Sequence, residues 1–329
     1  MTSSIVIPVY RNAENIPSLL AALEQMNDEL ADDLEAIFVI DGSPDDSGRL
    51  LLDAGPHMPF PGRVVFHSRN FGAFTAIRTG MEVAEGTYVA VMAADLQEPP
   101  ELILKFFNIL AAAEADIVFG KREARNDPII NRVLSTAFWG AYRRFVLPSM
   151  PQGGVDIFAC NRMVLDAVLS IEEPNSSLVA QLFWVGFRRS FVPYIRRKRQ
   201  QGKSAWNFSR RFRYMMDSIF SFSDLPIMAV LWLGVAGCSF SVVLALVTLV
   251  ARLTGAIQEA GYTSIVLLVV FFGSLSLTVQ GILGCYIWRT AENTKKRPLR
   301  IISRIVTLPG RAGSNPTRSG RKQARNNRK

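Results

Sequence analysis

Over the first 120 residues, short apolar runs alternate with stretches whose apolar residues recur at helical spacing. The runs are Ser4–Tyr10, Glu35–Ile40, Arg63–His67, Val89–Met92 and Asp116–Gly120. Between them the spacing predicts helices over Ile16–Asn27 (Leu19, Leu20 and Leu23 on one face), from Gly72 to about Ala84, and over Pro100–Ala113. Apolar runs that do not alternate with polar residues suit strands buried on both faces, as in a parallel sheet. Strands and helices in turn predict an α/β fold with a mostly parallel sheet. A helix over Ile129–Val146 and a strand over Gly153–Cys160 are expected next.

Each run ends in polar residues: Tyr10-Arg11-Asn12, Asp41-Gly42-Ser43, Arg69-Asn70-Phe71-Gly72, Asp95-Leu96-Gln97 and Gly120-Lys121-Arg122. In a parallel sheet these five loops converge on the edge where ligands bind. Asp95 and Gln97 lie two apart, so in an extended chain their side chains leave one face. A carboxylate and an amide oxygen there could share a hard cation with a nucleotide diphosphate. An ordinary polar turn at a strand end explains the same residues. The five loops together, carrying carboxylates, amides and arginines, suit a nucleotide-activated substrate.

The pattern changes in the second half. Residues 226–251 and 260–288 contain no charged residue, and each exceeds the ~20 residues a helix needs to cross ~30 Å of hydrocarbon. Arg252 and Glu259 are the charges between them, whereas Arg210–Arg213 and the chain from Arg289 onward are basic. The positive-inside rule then expects a two-helix hairpin with both ends in the cytoplasm. Residues 207–225 set Phe208, Phe212, Met215, Met216, Ile219 and Phe220 against Arg210, Arg211 and Arg213, which suits an interfacial helix; an amphipathic core helix is the alternative.

Charge and cysteine content refine this picture. The net charge of +9 conceals a segment from Arg289 to Lys329 with thirteen Lys/Arg and one acidic residue, net +12, so the remainder sums to −3. Its place beside an apolar segment favours an anionic membrane over nucleic acid as partner. Three cysteines give neither a disulfide framework nor metal-ligand spacing, and the opening MTSSIVIPVY does not read as a signal peptide.

The motifs VIPVYRNAENIPSLL, DGSPDDS, SRNFGAFTAIRTGMEVAEG, ADLQEPPE, GKREAR, GGVDIFACNR, RQQGKSAW, FSFSDLPI and ILGCYIWRTAENTKKRP follow one another between Ile5 and Pro298. In this order they resemble the polyprenyl-phosphate glycosyltransferases of glycosyltransferase family 2. These are dolichyl-phosphate mannose synthase-like enzymes whose bacterial two-helix forms transfer glucose or aminoarabinose to undecaprenyl phosphate. The resemblance implies a GT-A-like domain over 1–206, an interfacial helix over 207–225, two transmembrane helices over 226–251 and 263–288, and a basic cytoplasmic tail over 289–329, disordered after about 310. It also implies inverting transfer from a nucleotide sugar to a polyprenyl phosphate at the cytoplasmic face of the inner membrane, for cell-envelope glycans. A divalent cation, Mg²⁺ or Mn²⁺, would assist, and members often form tetramers.

Carried over residue by residue, the resemblance puts Pro8, Tyr10 and Asp41 in the nucleoside pocket, with Asp41 accepting from base or ribose. Asn70 and Gly72 lie beneath the diphosphate, and Asp95 and Gln97 hold the metal. Arg122, Arg132 and Ser135 meet the acceptor phosphate, Arg199, Lys203 and Ser204 form a basic loop near the phosphates, and Asp156 orients or deprotonates the acceptor. Arg132 and Arg199 read equally well as solvated or lipid-facing residues.

Three positions depart from the family pattern. Ala93 stands where the family has the first Asp of Asp-Ala-Asp, Ile40 where it has the first Asp of Asp-Asp-Gly-Ser, and Cys285 where two-helix members have Glu. The Ala93 departure implies weakened metal binding. It also motivates an alternative, a non-catalytic membrane relative that binds nucleotide sugar or polyprenyl phosphate. A processive polysaccharide synthase lacks support, since Gln-x-x-Arg-Trp is absent from the sequence.

Overall fold

A computed structural model of the chain describes residues 2–31, 33–122, 150–151, 155–173, 176–197, 261–295 and 297–310, with scattered positions between 140 and 254. The expected helix over Ile129–Val146 and the interfacial helix over 207–225 fall almost wholly outside them, and the first membrane segment, 226–251, is described only in part, its described residues being helical.

The elements are β1 (Ser3–Val9), α1 (Ile16–Glu29), β2 (Leu34–Ile40), α2 (Ser47–Ala54), β3 (Gly62–His67), α3 (Ala73–Val83), β4 (Tyr88–Val91), α4 (Pro100–Ala111), β5 (Ile117–Arg122), β6 (Val155–Asn161), α5 (Arg162–Leu169), α6 (Leu178–Trp184), β7 (Arg189–Tyr194), α7 (Tyr262–Thr294) and β8 (Ile302–Leu308). They build an eight-stranded sheet in the order β7-β5-β6-β4-β1-β2-β3-β8. β6 and β8 run antiparallel to their neighbours, and the other strands run one way. The expected α/β class with a mostly parallel sheet is what the chain adopts.

Every residue of β2 is buried, which is why its sequence shows no alternation. The pleat of β1 sends Ile5, Ile7 and Val9 to one face and Val6 to the other. On the first face they meet Leu19 and Leu23 of α1, Leu51 of α2 and Phe106 of α4. On the second, Val6 and Val39 pack with Ala76 and Met81 of α3, Val164 of α5 and Phe183 of α6.

Two features differ from the expectation. Gly120-Lys121-Arg122 is part of β5 and not a loop, since β5 continues alongside β7 to the pair Arg122–Tyr194. Ile302–Leu308, read above as part of a basic tail, is strand β8, so the sheet is not complete at residue 206. Alternation sends Val306 and Leu308 to one core cluster, the extra residue of β8 between Arg304 and Ile302 turns Ile302 to the other, and the Arg304 guanidinium lies 4.3 Å from the centre of the Phe66 ring. Arg300, just before the strand, pairs with Glu82 of α3.

The expected second membrane segment lies inside α7, whose 33 residues span about 50 Å at 1.5 Å per residue. Several α7 side chains are not described, and among the described residues no helix is long and apolar enough to cross a membrane. The two-helix hairpin is therefore not shown.

The β3–β8 ladder makes a prediction. Ending the chain after Pro298 removes a strand whose Leu308 is 4% exposed. Losing a buried leucine costs about 2–5 kcal/mol, so the unfolding midpoint of the sheet domain should fall by about 5 °C or more. An unchanged midpoint would show that β8 contributes nothing to the fold.

Candidate active site

The strand order fixes where a ligand can enter. From β1 the chain builds β2 and β3 to one side and then places β4 on the other, so β1 and β4 flank a topological switch point. Their pairing stops at Val6–Val91, followed by the Met92 N–H donating to Val6 O at 3.0 Å. β1 continues along β2 to Val9. Pro8, two residues beyond Val6, faces the same way as Val6, past the last bond to β4, where a missing N–H leaves no ladder position empty. The carboxyl ends of the two strands therefore part, with Tyr10 and Arg11 on one side and Ala93–Asp95 on the other.

The β4 loop is not extended. The Leu96 N–H turns back to Ala93 O at 3.3 Å, and Leu96 adopts φ +51°, the left-handed region. The alternation argument for Asp95 and Gln97 therefore fails. What joins them is a local turn, in which the Gln97 N–H donates to Asp95 Oδ1 at 3.4 Å. Asp95 is half-buried at the crevice. Residues after β7 brace this loop: the Arg197 N–H donates to Gln97 O at 2.9 Å, and the Arg196 guanidinium lies 3.3 Å from Glu98, a carboxylate 1% exposed.

Among the described residues no group of three or more His, Cys, Asp or Glu gathers as a metal site. With alanine at 93, the donor set is the Asp95 carboxylate with Gln97 beside it. That set fits a hard cation that takes one carboxylate and completes its shell with waters and substrate phosphates. It does not fit an all-protein cage.

Asp41 differs most from its expected role. It is 2% exposed and turned inward. Its Oδ1 accepts from the Phe71 N–H (2.8 Å) and lies 2.9 Å from His67 Nδ1; its Oδ2 accepts from the Gly72 N–H (2.8 Å). Asp41 thus holds the loop after β3 and does not present a carboxylate to a nucleoside. Gly42 completes the contact. With φ +60° and a Cβ that would strike the backbone of Arg69 and Asn70, no other residue fits without moving that loop. Gly72 begins α3 with φ +100°, again a glycine conformation.

A second carboxylate ties the first two loops together. Asp45 accepts from the Ala13 N–H (2.9 Å), the Ser43 hydroxyl (2.6 Å) and the Ser47 hydroxyl. Those serines in turn accept from the Arg11 N–H (2.7 Å) and the Asn12 N–H (3.2 Å). Burial pushes the Asp45 carboxyl up, but the bonds from Ser43, Ala13 and Ser47 outweigh it and hold it below its ordinary value.

The carboxyl edge of the sheet gathers Pro8, Tyr10, Asp41, Asn70, Gly72, Asp95, Gln97 and Arg122, as the parallel topology requires. Asp156 lies near the start of the reversed strand β6, hence at the same edge, though its side chain is not described. Arg132, Ser135, Arg199, Lys203 and Ser204 fall outside the described residues. A separate cavity of about 490 Å³ lies between the β2 loop, α2 and β8, lined by Ser43, Asp45, Arg49, His67 and Arg304. We place the site in the β1–β4 crevice, because the switch point and Asp95 are there and Asp95 does not line the cavity.

Sequence reasoning passed over His67, Thr79 and Asp45. One signal was present: aligning the ends of β2 and β3 pairs Ile40 with Phe66, which sets Asp41 opposite His67.

The Asp45 hub predicts an acid-dependent stability. A carboxyl lowered by folding stabilises the fold fully above its ordinary value of 3.8, and the contribution is lost as pH falls through the lowered folded value. Asp45→Asn should therefore unfold at a lower temperature than the parent at pH 7, with the gap narrowing below about pH 4. A gap independent of pH would contradict the hub.

Comparisons agree with this architecture. The family model described as "Glycosyl transferase family 2" matches residues 4–222. The putative glycosyltransferase CsbB of Bacillus subtilis is 32% identical over 91% of this chain and 90% of its own length. The prophage bactoprenol glucosyl transferase homolog of Escherichia coli K12 is 27% identical over 93% of this chain and 99% of its own. A solved glucosyl-3-phosphoglycerate synthase of Mycobacterium tuberculosis is 17% identical with a TM-score of 0.46, covering 66% of this chain and 80% of that one, a likeness that adds nothing to the site. On the family match and the relatives alike, the chain is a glycosyltransferase and belongs to glycosyl transferase family 2.

Proposed function

We propose that the protein transfers a sugar, with inversion, from a nucleotide sugar to a polyprenyl phosphate at the cytoplasmic membrane face. The observation that carries this reading is Asp95 at the parted ends of β1 and β4, in a family member whose relatives include bactoprenol glucosyl transferases. The acceptor phosphate is ionised near neutral pH, so attack needs no strong base. Its oxygen forms a bond to the anomeric carbon while the bond from that carbon to the diphosphate breaks, and the diphosphate leaves with the electron pair.

The chain's work is electrostatic and positional. The loop 68–72, fixed by Asp41, supports the donor diphosphate. Arg122 and the basic residues Arg132, Arg199 and Lys203 attract the anionic acceptor, with Ser135 and Ser204 as hydroxyl donors to phosphate and Asp156 orienting it. A divalent cation held by Asp95 and Gln97 would supply neutralisation of the departing charge. Cys160 takes no part as a nucleophile, since burial pushes its thiol up to about 12.

The membrane reading rests on the uncharged segments 226–251 and 260–288 and on the basic flanks. In this reading both termini and the catalytic domain face the cytoplasm. In a chain stripped of its cysteines, Ala256→Cys should react with an impermeant maleimide in intact cells and Ser314→Cys should not. The reverse pattern would overturn the orientation.

Ala93 favours a second reading, a relative that binds the substrates without turning them over. Incubating purified protein with labelled nucleotide sugars and undecaprenyl phosphate, with and without Mn²⁺ or Mg²⁺, separates the two. Labelled lipid should form, Asp95→Asn should lower its rate about a hundredfold or more, and Ala93→Asp should lower the cation concentration for half-maximal rate. Lipid binding without labelled product under every donor would leave only the second reading.

A further inference from the structure

The register of β3 against β8 shifts between Phe66 and His67 with the extra residue on β8, so β3 keeps its alternation and His67 faces α3, as Val65 does. The His67 side chain is fully buried. Its Nδ1 lies 2.9 Å from Asp41 Oδ1 and its Nε2 2.9 Å from the Thr79 hydroxyl on α3, which itself donates to Thr75 O at 2.9 Å. The Phe71 ring stands edge-on to the imidazole, centroids 5.5 Å apart, and the Arg69 guanidinium lies 4.0 Å from the Phe71 ring centre. One imidazole thus joins the body of α3 to a carboxylate that grips two backbone N–H groups of the next loop.

The chemistry of the link has a direction. An ionised carboxylate can only accept, so the Asp41 bond requires a hydrogen on Nδ1. Among the described residues Asp41 has three donors, the N–H groups of Phe71 and Gly72 and the His67 ring. The backbone donors belong to the loop and move with it. His67 is the donor fixed elsewhere, on β3 and α3, so it determines where the carboxylate sits and hence where the loop sits.

We propose that His67 is a positioning residue for donor binding, acting through Asp41 on residues 68–72; this rests on the transferase reading of that loop. It touches neither substrate, so it alters where the donor diphosphate is received and leaves the acceptor side unaffected.

Two substitutions dissect the link. In His67→Asn the amide nitrogen can occupy the place of Nδ1 and still donate to Asp41. In His67→Gln it reaches the place of Nε2 and keeps the Thr79 contact, with no donor towards Asp41. Trypsin cleavage after Arg69 in the ligand-free protein reports the loop without reference to any activity. The expected result is that His67→Gln accelerates that cleavage and raises the KM for the nucleotide sugar about tenfold or more, the scale of a lost charge-assisted hydrogen bond. The KM for the lipid phosphate and kcat should stay near the parent's, as loss of uniform donor binding requires. His67→Asn should restore both readouts to within about threefold of the parent. The proposal is overturned if His67→Gln matches the parent in both, or if His67→Asn is as impaired as His67→Gln. If the parent transfers no sugar while the cleavage contrast persists, the transferase reading fails and the clamp on the loop stands.

Discussion

The parting of β1 and β4 is the constraint on which the rest of the molecule depends. A parallel strand pair normally continues its ladder until one strand ends. Here β4 turns away after Met92, while β1 runs on beside β2 with a proline on the vacated side. That opening exists because the chain reverses its direction of sheet growth at β1. The half-buried carboxylate of Asp95 stands at its mouth.

Around the opening, the loops are held by buried polar contacts more than by apolar packing. Asp41 fixes the loop after β3, Asp45 binds the loops after β1 and β2 to one another, and Glu98 with Arg196 secures the loop after β4. Such groups stabilise a fold only when their partners are in place, because a buried carboxylate without donors is strongly unfavourable. The same property makes them specific: both oxygens of Asp41 and of Asp45 are met by donors of the loops they hold. A site that must orient a diphosphate and an anionic acceptor benefits from this rigidity, since its catalysis relies on preorganised charge.

Much of this was legible in the residues. The apolar runs marked the strands, and the parallel topology they imply brought four polar loops and the end of β5 to one edge. What the sequence concealed was local geometry. Asp95 and Gln97 were paired by an alternation argument, but Leu96 in the left-handed region replaces the extended chain with a turn. The family resemblance put Asp41 in the nucleoside pocket; its burial follows from the loop after β3 folding back over it. His67 was passed over, and only the register of β2 with β3 reveals its polar partner. β8 was hidden by charge, since arginines at 300, 304 and 311 make its alternating apolar residues resemble a basic tail.

The account's central claim is that the donor diphosphate is received at the parted ends of β1 and β4. The most direct measurement is a structure of the full chain with a nucleoside diphosphate bound. The account predicts the diphosphate beside Asp95, above the loop that Asp41 holds. Density for it in the cavity bounded by Arg49 and Arg304, away from Asp95, would contradict the account.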